Sequence, residues 1–116
     1  MIGKELTMDL HGCNSSLFNE TDVDRYLTEL CVVIDMEKVA GQQMCWAYDG
    51  DHEHLKGISV AQFIKTSSIT MHFSDSLATV WVNIFSCKDF NADIAKVFTE
   101  NWFKGTAGNV IVIERN

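Results

Sequence analysis

The sequence of 116 residues lacks proline entirely, has few basic residues and contains no long apolar run. Lys and Arg number 9 against 16 Asp and Glu, so the formal net charge is −7. Binding to nucleic acid or to an anionic membrane requires clustered positive charge, and we expect neither partner. Because no stretch reaches about 18 apolar residues, we also expect no transmembrane helix. The composition remains compatible with a small-molecule substrate that carries positive charge.

The cysteines show neither C-x-x-C pairing nor zinc-ribbon spacing, so we expect no metal site. The first ten residues alternate polar and apolar side chains and lack the basic start and apolar stretch of a signal peptide. These features predict free thiols in a cytoplasmic protein. The four cysteines are Cys13, Cys31, Cys45 and Cys87.

Hydrophobic periodicity predicts one α+β domain over residues 1–116. The predicted elements are a strand at 4–11, a helix at 21–36, strands at 43–49, within 57–74, and at 78–86, a helix at 91–104 and a strand at 109–115. The stretch 57–74 is unusually long for one strand. It is interrupted only at 65–68, so it is either two strands without standard hairpin residues or one bent strand.

The two helices carry recognisable start signals. Thr21 followed by Asp24 resembles a capping box at the start of the first helix. Asn91 is suited to cap the second, and Gly105 to end it. In the second helix, the apolar residues predicted to face inward are Ile94, Val97, Phe98 and Trp102.

Strands outnumber helices and cluster in the sequence, which favours a mostly antiparallel sheet with both helices on one face. The other face then carries aromatic residues such as Trp46 or Trp81. A second copy of the chain is the simplest cover for such a face, so we expect a homodimer formed through the sheet faces.

Three groups of residues bear chemical functions, and the residues alone do not decide among their roles. The segment 51–54 (Asp-His-Glu-His) matches no metal motif and reads as a solvated loop. Ser74, His72 and Asp75 are too close along one strand to form a catalytic triad. Cys87 precedes a helix cap, and is either an activated thiol or a buried core residue.

Three segments carry a resemblance to a known family. Residues 3–13 read Gly-Lys-Glu-Leu-Thr-Met-Asp-Leu-His-Gly-Cys, residues 66–76 read Thr-Ser-Ser-Ile-Thr-Met-His-Phe-Ser-Asp-Ser, and residues 84–87 read Ile-Phe-Ser-Cys. In content and spacing they resemble the short bacterial and archaeal class of S-adenosylmethionine decarboxylases, which depend on a pyruvoyl group. The resemblance covers nearly the whole chain and implies a two-layer α/β sandwich that dimerises through its sheets.

The resemblance implies a self-processing carboxy-lyase of polyamine and spermidine biosynthesis. In the family, the serine matching Ser67 attacks the carbonyl of the preceding residue, here Thr66, and the proenzyme is cut between them. The serine becomes a pyruvoyl group, which forms a Schiff base with the substrate amine. The residues matching Ser59 and His72 assist processing, and the one matching Cys87 donates a proton after decarboxylation.

The chain departs from the family pattern at three places. Thr66 replaces a glutamate, Ser68 replaces a histidine, and Ser74 to Ser76 replace the segment Trp-Pro-Glu that helps to hold the adenosyl group. Two substrate classes therefore remain, S-adenosylmethionine and a basic amino acid such as ornithine or arginine, with Asp9 or Asp75 available to bind a cationic group. The alternative is an unprocessed, non-catalytic homologue that acts as a dimeric binding or regulatory protein.

Overall fold

A computed structural model describes residues 1–116, apart from the side chains at positions 42 and 44. The strands are β1 (Gly3–His11), β2 (Lys38–Tyr48), β3 (Gly57–Ile64), β4 (Ser67–Ser74), β5 (Thr79–Ser86) and β6 (Thr106–Arg115). The helices are α1 (Glu20–Val33) and α2 (Ala92–Phe103), with short 3-10 turns at Ser15–Leu17 and Glu53–Leu55. All strands form one antiparallel sheet in the order β2-β3-β4-β5-β1-β6. The predicted fold class and element order are confirmed.

One face of the sheet and the two helices enclose the hydrophobic core. Leu6, Met8 and Leu10 alternate along β1 and are all buried, as the period of two in a half-buried strand requires. The ring of Phe103 in α2 packs against Phe73 of β4, with ring centroids 5.5 Å apart. The helices therefore cover the centre of the sheet on this face.

Helix α1 begins earlier than predicted. Its N-cap is Asn19, whose side chain accepts a hydrogen bond of 2.9 Å from the backbone N–H of Asp22. The predicted cap at Thr21 is wrong, because this asparagine satisfies the free N–H groups of the first turn two residues before it. The helix also ends at Val33, since Asp35 adopts the left-handed conformation (φ 57°).

Helix α2 is capped by Asn91 as predicted, with a hydrogen bond of 3.0 Å from Ile94 N–H to its side chain. The prediction that Ile94 and Val97 face inward is wrong, since they are 46% and 50% exposed. The left-handed residue that ends the helix is Lys104 (φ 60°), not Gly105.

The side of α2 that meets α1 carries smaller residues than the apolar pattern suggested. Ala95 and Thr99 are fully buried there. The Thr99 hydroxyl forms a hydrogen bond of 2.7 Å with the hydroxyl of Tyr26, which lies in α1. Small residues allow the two helices to approach closely. With this side of α2 turned toward α1, the larger Ile94 and Val97 remain exposed.

The segment 57–74 forms two strands, so the alternative of one bent strand is wrong. Lys65 and Thr66 alone connect β3 to β4, and neither is a typical residue of a two-residue hairpin. The turn is held from outside: Lys65 N–H donates to the carbonyl of Glu37 at 2.9 Å, and the two side chains form an ion pair. The hairpin is therefore fixed against the residues that precede β2.

The terminal and edge strands are longer than predicted. β2 begins at Lys38 rather than residue 43, and its pairing with β3 shifts register between Lys38 and Gln43. Gly41 adopts a positive φ of 73° within this irregular part, and this explains why the alternation was not recognisable there. β6 begins at Thr106 rather than residue 109.

The second face of the sheet has no helix over it. Its apolar residues Trp46, Phe63, Ile111 and Ile113 are between 41% and 64% exposed, and Trp81 lies on the same face. The aromatic residues predicted for an uncovered face are thus present. No helix in the described part of the chain is both long and apolar enough to cross a membrane.

Candidate active site

The bond between Thr66 and Ser67 lies at the hairpin that joins β3 to β4. The Thr66 carbonyl oxygen accepts a hydrogen bond of 3.0 Å from the backbone N–H of Cys87, which follows the end of β5. A backbone N–H aimed at a carbonyl oxygen polarises the carbonyl and stabilises negative charge that develops on the oxygen. The structure thus brings Thr66, Ser67 and Cys87 together.

The backbone torsion of Ser67 favours an approach to this carbonyl. Its φ angle is 159°, whereas antiparallel strand residues have φ near about −140°. Because Cβ and the carbonyl carbon of an L-residue are separated by about 120° around the N–Cα bond, Cβ of Ser67 lies only about 40° from eclipsing the Thr66 carbonyl carbon. In a regular strand the same torsion is about 100°. Cβ of Ser67 therefore lies closer to the Thr66 carbonyl carbon than it would in a regular strand.

The side chain of Thr66 is also held. Its hydroxyl is 2.7 Å from the hydroxyl of Ser86, which is fully buried, and 3.4 Å from the sulfur of Met36. The Ser86 hydroxyl in turn accepts a hydrogen bond of 3.0 Å from Lys88 N–H. Sequence reasoning did not identify Ser86, and its only signal was a hydroxyl residue directly before Cys87.

The second predicted group, Ser59 and His72, forms a hydrogen-bonded pair on the uncovered face. The Ser59 hydroxyl lies 2.7 Å from Nδ1 of His72, and Nε2 lies 3.2 Å from the carbonyl oxygen of Leu55. A carbonyl only accepts, so Nε2 carries a proton and Nδ1 of the neutral ring accepts from Ser59. The ring stacks on Trp81 with centroids 5.8 Å apart. Ser59 and His72 are therefore oriented for proton transfer.

The two groups do not meet within one chain. Ser67 begins β4, and His72 lies five positions later on the same strand. At about 3.4 Å per residue, this separation is about 17 Å. The residues predicted to assist processing are therefore too far from the scissile bond of their own chain to act on it.

A shallow hollow of about 410 Å³ lies on the uncovered face beside His72. Asp9 and Trp81 line it, and the Asp9 carboxylate accepts a hydrogen bond of 2.8 Å from Asn109. Asp75, the other predicted binding residue, lies beyond the end of β4, about 10 Å further along the chain than His72. A carboxylate beside an indole ring suits a cationic group.

The four cysteines differ sharply in environment. Burial raises the pKa of the Cys13 thiol to about 11 and also raises the pKa values of Cys31 and Cys45. Cys87 is exposed, so the alternative of a buried core cysteine is wrong for this residue. The thiol predicted to donate a proton is thus the accessible one.

The remaining candidate groups form no reactive centre. Ser74 is buried and donates a hydrogen bond of 2.6 Å to the carbonyl of His54, which orients its hydroxyl away from a triad with His72. Residues 51–53 are exposed, and Glu53 pairs with Lys56. Within the part of the chain that the structure describes, no three His, Cys, Asp or Glu side chains are grouped for a metal ion.

Comparison with known proteins decides the family. A family model for S-adenosylmethionine decarboxylase matches residues 4–116. The chain belongs to the S-adenosylmethionine decarboxylase family.

A solved structure agrees with the fold of this family. The crystal structure of the adenosylmethionine decarboxylase from Aquifex aeolicus VF5 superposes with a TM-score of 0.80 at 16% sequence identity. The superposition covers 99% of this chain and 91% of the Aquifex chain. No curated protein matches the sequence. Family membership implies a decarboxylase, and the low identity to the Aquifex enzyme supports the fold alone.

Proposed function

We propose that the chain is the proenzyme of a pyruvoyl-dependent decarboxylase that cleaves itself between Thr66 and Ser67. The observation that carries the proposal is the geometry of this bond: the Cys87 N–H donates a hydrogen bond to the Thr66 carbonyl oxygen, and the φ angle of Ser67 brings its Cβ toward the same carbonyl. The carbonyl is thus already polarised and the serine Cβ is close to it in the uncut chain, which favours an intramolecular reaction.

The processing reaction follows from these contacts. The Ser67 oxygen bonds to the Thr66 carbonyl carbon, negative charge collects on the oxygen that Cys87 N–H binds, and the peptide C–N bond breaks as the hydroxyl proton passes to the nitrogen. Removal of the Ser67 Cα proton then expels the Thr66 carboxylate and leaves a dehydroalanine amine. Its tautomer reacts with water, releases ammonia and leaves a pyruvoyl group at the new N-terminus.

The residues present fit such a group. The Ser67 backbone is held in the sheet, and the exposed thiol of Cys87 follows the residue paired with Ser67. A pyruvoyl group would supply a carbonyl that binds the substrate amine and accepts the electron pair left by carbon dioxide. Cys87 would hold the proton that returns to the substrate carbon.

The separation of Ser67 and His72 supports a homodimer through the uncovered faces. A second copy that lies face to face with the first would bring its own Ser59–His72 pair over the partner's hairpin. It would also cover the exposed apolar side chains of this face, such as Trp46 and Phe63. In this arrangement each processing site takes residues from both copies.

The hollow beside His72 favours a cationic substrate that carries an amine, either S-adenosylmethionine or a basic amino acid. Asp9 offers the charge and Trp81 an aromatic face. Asp75 is proposed as a second contact at the rim. Decarboxylation of either class would feed polyamine synthesis. An Asp9→Asn variant that raises KM more than it lowers kcat would support binding through this carboxylate.

Intact-mass spectrometry of protein from timed cell-free synthesis tests the proposal. We expect the full chain to convert to fragments 1–66 and 67–116, the second lighter by one ammonia than a serine-terminated fragment. The Ser67→Ala variant should stay intact and release no carbon dioxide from S-adenosylmethionine, ornithine or arginine. Persistence of the unmodified full-length chain over days would overturn the proposal.

A second candidate function is favoured by the departures from the family pattern. Thr66 stands at the attacked carbonyl, where a β-branched side chain crowds an approaching nucleophile, and the segment from Ser74 to Ser76 lacks the stacking ring of the family. An intact chain would therefore support a non-catalytic, dimeric binding protein.

A further inference from the structure

The side chain of Ser86 is fully buried, and its hydroxyl has three hydrogen-bonding partners. It accepts from Lys88 N–H at 3.0 Å, lies 2.7 Å from the Thr66 hydroxyl and 3.5 Å from the sulfur of Met36. A buried hydroxyl is costly unless its bonds are satisfied, so this arrangement requires all its partners.

Two successive residues at the end of β5 hold the same residue of the hairpin. The Ser86 side chain holds the Thr66 side chain, while the Cys87 N–H holds the Thr66 carbonyl. These anchors fix the peptide plane that precedes Ser67. With only one of them, the carbonyl can rotate about the Thr66 backbone, because hairpin residues without turn-type preferences are otherwise weakly constrained.

Resting on the proposed function, we propose that Ser86 is a positioning residue for self-cleavage: its buried hydroxyl binds the Thr66 hydroxyl and thereby orients the Thr66 carbonyl toward Ser67. This explains how a chain with threonine before its reactive serine presents a competent scissile bond. Ser86 touches neither of the two reacting atoms, and it acts through Thr66.

The test compares cleavage rates in timed cell-free synthesis. The Ser86→Ala variant should cleave roughly five- to thirty-fold more slowly than the native chain, which corresponds to the loss of one buried hydrogen bond. Thr66→Val removes the other hydroxyl and keeps the β-branch, and should slow cleavage by a similar factor. Because both variants remove one interaction, the double variant should be little slower than either single variant. Ser86→Thr keeps a hydroxyl and should restore most of the rate.

Two measurements separate positioning from a general loss of structure. Thr99→Val removes a buried hydroxyl in the helical layer. It should lower Tm about as much as Ser86→Ala does, while leaving the cleavage rate unchanged. Hydroxylamine cuts the chain at the ester that forms once Ser67 has attacked. If Ser86 positions the carbonyl, ester formation is slowed, and hydroxylamine cleavage of Ser86→Ala should fall by the same factor as spontaneous cleavage.

The outcomes distinguish this inference from the proposed function. If the native chain cleaves and Ser86→Ala cleaves equally fast, the positioning role is wrong while the decarboxylase proposal stands. Additive effects of the two single variants, or normal hydroxylamine cleavage of Ser86→Ala, also overturn it. A native chain that never cleaves, with or without hydroxylamine, overturns both.

Discussion

Along β4, the side chains of Ile69, Met71 and Phe73 are buried against the helices, whereas Thr70 and His72 lie on the uncovered face. The covered face contains packed hydrocarbon and aromatic rings. The uncovered face contains hydroxyls, an imidazole, carboxylates and exposed tryptophan. Within residues 69–73, one set of alternate residues therefore serves stability, while His72 in the other set has a role in the proposed chemistry. Substitutions on the two faces should consequently have separable effects.

The largest effect is expected from a substitution on the uncovered face, and it concerns the rate of self-cleavage. His72→Ala removes the base paired with Ser59, and self-cleavage should slow by about 10²–10⁴-fold, the usual contribution of general acid–base catalysis. Time courses by intact mass measure the rate, and urea unfolding should show a much smaller change in stability.

Co-expression sharpens the same prediction. Because His72 lies about 17 Å from Ser67 of its own chain, chains with His72→Ala should be cleaved when co-expressed with Ser67→Ala chains, whose His72 is intact. Failure of rescue in a co-purified mixed dimer would contradict a processing site shared between two copies.

The next effect is on the covered face. Phe73→Ala opens a cavity beside Phe18 and Phe103, whose ring centroids lie 4.9 and 5.5 Å away, and should destabilise the fold by about 3–5 kcal/mol. Urea unfolding at fixed protein concentration measures this loss. Thr70→Val, on the same strand but exposed on the other face, should change stability by no more than about 0.5 kcal/mol. Equal losses in both variants would show that the faces do not differ as described.

The covered face was predictable from sequence because its signals are local. Alternation along β1 and the Asn91 cap each involve residues within a few positions, and both were predicted correctly. Ile94 and Val97 were misplaced because the pattern of α2 contains two overlapping apolar stripes. Contacts between residues distant in sequence, such as those of Thr99 with Tyr26 and of Phe103 with Phe73, decide which stripe is buried.

The uncovered face and the hairpin were predicted only in part. Family resemblance identified Ser67, His72 and Cys87, but not their distribution over the molecule. The separation of about 17 Å between Ser67 and His72 follows from their position on one strand. The sequence left open whether residues 65–68 form a connection or part of a bent strand, so the position of Ser67 could not be derived from it. The hydrogen bond between the side chains of Thr66 and Ser86 joins residues 20 positions apart, and no local sequence pattern predicts it.

Cysteine reactivity provides a smaller contrast between buried and accessible positions. Only a thiolate is alkylated, and burial keeps Cys13, with a pKa of about 11, neutral at pH 8. Iodoacetamide at that pH should modify Cys87 at least about tenfold faster than Cys13 or Cys31. Peptide mapping by mass spectrometry gives the order of modification. Equal labelling of Cys13 would contradict its burial under the end of β1.

The smallest expected effect concerns Glu5, an acidic residue on the uncovered face. Hydrogen bonds of 2.6 Å from Asn83 and from Arg115 hold the pKa of its carboxyl below the ordinary value of 4.5. Because the folded state favours the ionised carboxylate more than the unfolded chain does, Glu5 stabilises the fold above the ordinary pKa. This contribution is lost as the pH falls through the lower pKa that Glu5 has in the folded state. The Glu5→Gln variant should therefore lose about 1 kcal/mol at pH 7 and progressively less below pH 4.5.

Urea unfolding of the native chain and of Glu5→Gln between pH 7 and pH 3 measures this difference. Glu114→Gln, an exposed carboxylate on the neighbouring strand β6, is the matched control and should show no such trend. A difference between the native chain and Glu5→Gln that stays constant down to pH 3 would mean that the Glu5 carboxylate does not supply the stabilising charge. Because Glu5 lies on the uncovered face and outside the hollow, its loss should leave self-cleavage unchanged. Stability and chemistry are then separable within that face as well as between the two faces.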